Sequence, residues 1–220
     1  MPPIRKPRKS KDPEVRLWAK HTGESVYFQR EAQVNFWTVL GGLAMAALLT
    51  QLSPLLKELQ ASRWYLLLYF VASILILANS WVQTAWGSLA MKWPISIAST
   101  VIVLFQMLAE AIQCLLVTNP AGWLAATGGI LLCALALQAW FAISGAWKVF
   151  LPATIKRFKF MIGVYIFFLF LCLAAALELY LVPSQTGEMV WGLVVIALSV
   201  AALYMQHKGM QEEKKELGIP

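Results

Sequence analysis

Residues 94–117 read PISIASTVIVLFQMLAEAIQCLLV, and this stretch decides the fold. It is long enough to cross a bilayer, which takes about 20 apolar residues in a helix. It carries no Lys or Arg, yet it holds one acid. Ser96, Ser99, Gln106, Glu110 and Gln113 recur at steps of three, seven, four and three, which return to one side of a 3.6-residue helix. The remaining sides are Ile, Val, Leu, Phe and Met. One face of this helix therefore avoids lipid and the others accept it.

The rest of the chain repeats the pattern. It has 220 residues, 60% hydrophobic and 13% charged, against about 25% charged in a soluble domain. The mean hydropathy is +0.66. Charges gather in the two tails and the short connections, and the reading is an all-α, polytopic integral membrane protein with six transmembrane helices. The spans are expected at about 34–56, 64–90, 94–118, 121–147, 160–182 and 189–206. A basic tail (1–33) precedes the six-helix bundle (34–206), and a short tail (207–220) follows it. Helices are the natural choice, because a lipid-facing segment must satisfy its own backbone hydrogen bonds.

Sidedness follows from the cations. With the N-terminus in the cytoplasm, sixteen Lys and Arg fall on cytoplasmic segments and only Lys57 and Arg63 on the other side. That asymmetry places both termini in the cytoplasm (N-in, C-in), with the plasma (inner) membrane as the expected location. The net charge of +7 thus reports topology and anionic lipid headgroups rather than nucleic acid. The basic run Arg5, Lys6, Arg8, Lys9 and Lys11 is read as a headgroup contact or a docking arm for a cytosolic protein. Asp12-Pro13-Glu14 starts a possible short interfacial helix through Lys20.

Cys114, Cys133 and Cys172 lie in three different apolar spans without a CxxC pattern, as small hydrophobes do. His21 and His207 lie outside the spans. No HExxH, GxSxG or P-loop is present. Neither a catalytic residue, a metal site nor a cofactor is expected, and the chain is not expected to be an enzyme.

What remains is a polar constellation. Counting residues outward from the turns at Lys92 and Asn119 sets depths, and levels Asn79 with Gln106 and Glu110 with Gly128. Asn79, Gln83, Gln106, Glu110, Gln113 and Gln138 are expected to converge inside the bundle, with Glu178 nearby or at the outer mouth. No Lys or Arg falls within any expected span, so Glu110 has no cation of its own chain beside it in lipid. A bare carboxylate there is costly. A proton, a wet passage with a cation, or a partner across an interface would relieve it.

Gly42 and Ala46 form a small-xxx-small pair suited to close helix approach. Phe160, Tyr165, Phe167, Phe168 and Phe170 are read as facing acyl chains. Together these features point to a channel or transporter-like protein that moves a small cation or proton along the polar face of the third helix, as a homo-oligomer. The alternative is a non-transporting anchor, sensor or structural subunit beside a partner membrane subunit, docking a cytosolic protein through its basic tail.

Overall fold

A computed structural model describes residues 24–89, 96–145, 150 and 152–217. The basic run at Arg5–Lys11, the short helix after Asp12 and the Lys92 turn lie outside the described residues. Among the described residues the chain is helical and contains no strand. The helices are α1 (Glu24–Thr50), α2 (Leu52–Gln60), α3 (Leu66–Leu89), α4 (Ile97–Leu115), α5 (Pro120–Ile143), α6 (Pro152–Leu181) and α7 (Gln185–Leu217). With α1 and α2 as one crossing, six helices are long and apolar enough to span a membrane.

Local chemistry sets the breaks. Pro54 has no N–H to return to Thr50, so the first crossing interrupts its ladder at Gln51 and resumes as α2. It then runs to Gln60, beyond the expected end near residue 56. Helix α4 begins in a capping box. The Ser96 hydroxyl accepts from the Ser99 N–H at 3.1 Å and Ser99 Oγ accepts from the Ser96 N–H at 3.0 Å. Asn119 caps α5 by accepting from the Gly122 N–H at 3.2 Å, with Pro120 in the first helical position. Gly145, at φ +75°, follows the end of α5.

Two helices outrun their expected spans. Helix α6 starts at Pro152, eight residues before the expected 160, which brings Lys156, Arg157 and Lys159 into its first turns. Helix α7 continues to Leu217, eleven residues past 206. At 1.5 Å per residue it is about 50 Å long against a hydrocarbon core of about 30 Å. Its last turns leave the apolar region but still pack on the protein.

Cross-links fix the directions. Arg63 and Glu188 join the starts of α3 and α7, while Trp86 and Glu213 join their ends, so these two helices are parallel. Trp140 Nε1 donates to Ser96 Oγ, which pairs the end of α5 with the start of α4. Arg157–Glu213 and Trp191–Glu178 make α6 and α7 antiparallel. One end of the bundle therefore carries the starts of α4 and α6 and the end of α7, here called the basic end. The other carries Arg63.

In cross-section, α4, α5, α6, α7 and α3 form a closed ring, each packed on the next, and α1 lies over the seam between α3 and α4. Two apolar clusters hold the ring together. Towards the Arg63 end, Leu48, Leu66, Tyr69, Trp123, Cys172 and Leu179 pack together, and Tyr69 meets Trp123 edge-on at 5.3 Å. Towards the basic end, Phe141, Phe150 and Phe158 stack with Trp37, Val103 and Met107. Between the clusters the ring is not filled.

Candidate functional site

The gap is a cavity of about 120 Å³, lined by α3, α4, α5, α6 and α7. Its polar wall comes from α3 and α4. Asn79 and Ser80 are adjacent on α3 with Gln83 one turn on, and Gln106 and Glu110 stand one turn apart on α4. Glu110 is only 1% exposed. Its Oε1 accepts from Gln106 Nε2 at 3.1 Å, and Ser80 hydrogen-bonds to the same carboxyl group. Gln106 Nε2 also reaches Ser80 Oγ at 3.0 Å. All of these partners are neutral, and no cation lies beside the carboxyl group among the described residues.

The expected constellation is thus divided among three places. Asn79, Gln83, Gln106 and Glu110 share the cavity. Gln113, fully buried, sits one turn towards the Arg63 end and donates to Thr127 Oγ1 at 2.7 Å; Thr127 is itself on the cavity wall. Gln138 is buried one turn beyond Ala134 of the wall, towards the basic end. Glu178 is not inside the ring. It is exposed near the Arg63 end of α6, where it accepts from Trp191 Nε1 at 3.2 Å. Ser96 and Ser99, on the same stripe of α4, serve as its cap. Four buried atoms near this axis lack a partner: Asn79 Oδ1, Gln113 Oε1, Gln138 Oε1 and Gln206 Nε2.

The glycines do not leave room beside the Glu110 carboxyl group. A Cβ on Gly128 would meet Leu173 of α6 at 3.2 Å, and one on Gly129 would meet Ala109 of α4 at 3.8 Å. They allow α5 to lie close to both neighbours. Gly42 and Ala46 behave differently, for both are exposed and a Cβ on Gly42 would touch nothing. Among the described residues that face of α1 has no neighbour.

Span-five aromatics divide as well. Phe160, Phe167 and Phe170 are exposed, as expected. Tyr165 and Phe168 instead line the cavity, and Tyr165 hydrogen-bonds across it to Gln83. Thr127 was legible in principle, because it lies eleven residues before Gln138, three helical turns on the same face. Ser80 and Ser199, also on the wall, carry no sequence signal beyond small polar residues in apolar helices.

Each end of the ring is closed by charge. At the Arg63 end, Ser62 adopts φ +69° and turns the chain after α2. Arg63 then donates to Glu58 at 2.9 Å, to Glu188 at 3.0 Å and to the Tyr65 hydroxyl at 2.9 Å, while Tyr65 donates to Glu188. Burial alone would lower the Arg63 pKa, but hydrogen bonds to Tyr65, Glu188 and Glu58 outweigh it and hold the pKa above its ordinary value. Burial moves the Tyr65 phenol upward. The network continues inward as Tyr69 donates to the Glu188 carbonyl, Ser73 to the Tyr69 carbonyl and Trp123 to Ser73. At the basic end, Glu213 is fully buried, accepts from Trp86 Nε1 at 2.8 Å and faces Arg157 Nη2 at 3.1 Å. That last contact lies off the hydrogen-bond direction, so Coulomb attraction carries it. Arg157 lies against Gly209, where a Cβ would come within 2.6 Å of its stem.

No family model, curated protein or solved structure matches the chain.

Proposed function

We propose that this protein is an integral membrane protein that binds a small cation, or carries a proton, at Glu110 and moves it through the central cavity of its own helix ring. The observation that carries this reading is Glu110 itself: a buried carboxyl group on the cavity wall, hydrogen-bonded to neutral Gln106 and Ser80. An ionised carboxylate taken from water costs several kcal/mol unless a positive charge answers it. A mobile cation is such an answer. Gln106 and Ser80 orient the carboxyl group, while Asn79, Gln83 and Thr127 stand in for part of the hydration shell. The unpartnered amide oxygens of Gln138 and Gln113 extend the polar trail one turn to either side. The polar face of α4 is covered by helices of the same chain, so the path needs no second copy. We take the basic end to face the cytoplasm, with the plasma (inner) membrane as the site of residence.

Flux into liposomes tests the reading. Wild-type protein should pass protons or monovalent cations, and Glu110→Gln should reduce that flux at least tenfold with the protein still folded. Flux equal in both proteins, or absent from both, would sink it. A second reading, a non-transporting subunit within a membrane assembly, is favoured by the bare Gly42–Ala46 face of α1, which suits a close helix neighbour. Cross-linking from Gly42→Cys in native membranes, together with loss of any captured membrane partner in Gly42→Leu, would support it.

A further inference from the structure

The cavity has two unlike walls. The α3–α4 side presents Glu110, Gln106, Ser80 and Asn79, and Asn79 Oδ1 is a buried acceptor with nothing bonded to it. Across the ring, α6 presents Met161, Val164 and Phe168 beside Tyr165, and the flanking α5 and α7 add aliphatic side chains with Thr127 and Ser199. An alkali ion needs oxygen ligands all round, and here much of its sphere would face hydrocarbon. Water could complete that sphere only if it found two or more polar partners, and the Tyr165 and Thr127 hydroxyls are already engaged by Gln83 and Gln113. A proton needs the carboxyl group alone and leaves about 120 Å³ of space without a purpose.

We infer that the cavity takes a monovalent organic cation: a primary or secondary ammonium on a compact apolar body, about the size of a one-ring monoamine. This rests on Glu110 being the cation-binding group of the proposed function. The ammonium N–H groups point to Glu110 and to the free Asn79 Oδ1. The body lies against Met161, Val164 and Phe168, whose ring face attracts a nearby cation. Size sets an upper bound: an apolar cavity of about 150 Å³ accommodates benzene, and this one, at about 120 Å³, admits a body of one ring at most. Charge agrees too. Among the described residues Glu110 is the only carboxylate on the wall, which answers one positive charge and not two.

Access fits the same ligand. Charged clasps close both ends of the ring, at Arg63–Glu188 and Arg157–Glu213. Helices α6 and α7 are joined through side-chain polar contacts only near their ends, at Trp191–Glu178 and Arg157–Glu213, among the described residues. Between these points the seam beside the cavity is mainly apolar, interrupted by Tyr165 and Ser199, and suits an amphiphilic amine entering from the lipid side better than a hydrated ion.

The test uses the full chain in nanodiscs, titrated with benzylamine, with its neutral isostere benzyl alcohol, and with NaCl as competitor. Benzylamine should bind at least tenfold more tightly than benzyl alcohol. Glu110→Gln should erase that preference. Phe168→Ala, which leaves the carboxyl group in place, should weaken benzylamine three- to tenfold. Equal binding of the amine and the alcohol, or displacement of benzylamine by equimolar Na⁺, would overturn the inference. The proposed function fails separately. Glu110-dependent proton or Na⁺ flux without amine preference would remove the organic-cation inference alone. Glu110-dependent amine binding with no flux of any cation, benzylammonium included, would remove transport and leave the site.

Discussion

Glu110 and Glu213 are both carboxylates withdrawn from solvent, at 1% and 0% exposure, and the ring treats them in opposite ways. Glu213 has a guanidinium 3.1 Å away and an indole N–H at 2.8 Å. It ties the end of α3 and the start of α6 to the end of α7. Glu110 has an amide and a hydroxyl, a cavity on its open side and an unpartnered amide oxygen on the same wall. The lesson is that burial alone does not mark a working acid. A buried acid whose cation belongs to the fold is a fastener. Glu110 has no cation of the fold beside it among the described residues, and the function proposed above gives that place to a mobile one.

The comparison breaks most visibly at Arg157. Arg157→Ala should destabilise the protein by about 3–5 kcal/mol, because Glu213 would remain buried with only an indole N–H to answer its charge. Removing both charges, in Arg157→Met with Glu213→Leu, should recover most of that loss, leaving a change within about 1 kcal/mol. Unfolding in mixed micelles, followed by circular dichroism, reads both variants. If the single and the double variant lose the same amount, Glu213 is not a fastener and the contrast with Glu110 fails.

The Arg63 clasp offers a milder version of the same test. Glu188→Ala removes the acceptor shared by Arg63 and Tyr65. Arg63 keeps Glu58 and is one-quarter exposed. The expected cost is therefore smaller, about 1–2 kcal/mol. A loss as large as that of Arg157→Ala would show that the two ends are equally dry.

Six crossings were legible because each is a long apolar run bounded by Pro, Asn or charge, and lipid allows few other answers. Glu110, Gln106, Asn79 and Gln83 were legible because depth can be counted along a helix from a turn, and helical spacing puts them on inward faces. Glu213 was not. It sits among Glu212, Lys214, Lys215 and Glu216, which read as a solvated tail, and only the continuation of α7 past residue 206 carries it onto Arg157 and Trp86. Tyr165 and Phe168 were misplaced for a related reason. Span five is apolar on every side, so its pattern does not say which aromatic residues turn inward. Glu178 lies near the Arg63 end of α6 on its exposed side, which a single acid in an apolar run does not specify.

At Glu110 the expected change in stability is smaller than at either clasp. Glu110→Gln keeps an oxygen that accepts from Gln106 and Ser80, so folding should shift by no more than about 1 kcal/mol, while cation-dependent flux falls at least tenfold. The same measurements on Glu213→Gln should show the reverse, a clear loss of stability with residual flux in whatever protein folds. A pair of variants that loses both properties together would erase the distinction between the two acids.

The finest adjustment lies at Ser62, which holds a left-handed backbone conformation without being glycine. The Arg63 N–H bonds to the Glu58 carbonyl at 3.0 Å across this turn, and the Ser62 N–H to the Leu59 carbonyl at 3.1 Å, the pairing that closes many helix C-termini with glycine at this position. A side chain in this conformation costs about 1–2 kcal/mol. Glycine removes that cost, but it also gives the unfolded chain more freedom, which takes back about 0.5–1 kcal/mol. Ser62→Gly should therefore stabilise the protein by about 0.5 kcal/mol, with flux through the Glu110 cavity unchanged. A gain in stability together with slower flux would mean that the Arg63 clasp opens during the transport cycle, and the fastener at that end would then belong to the mechanism rather than to the frame.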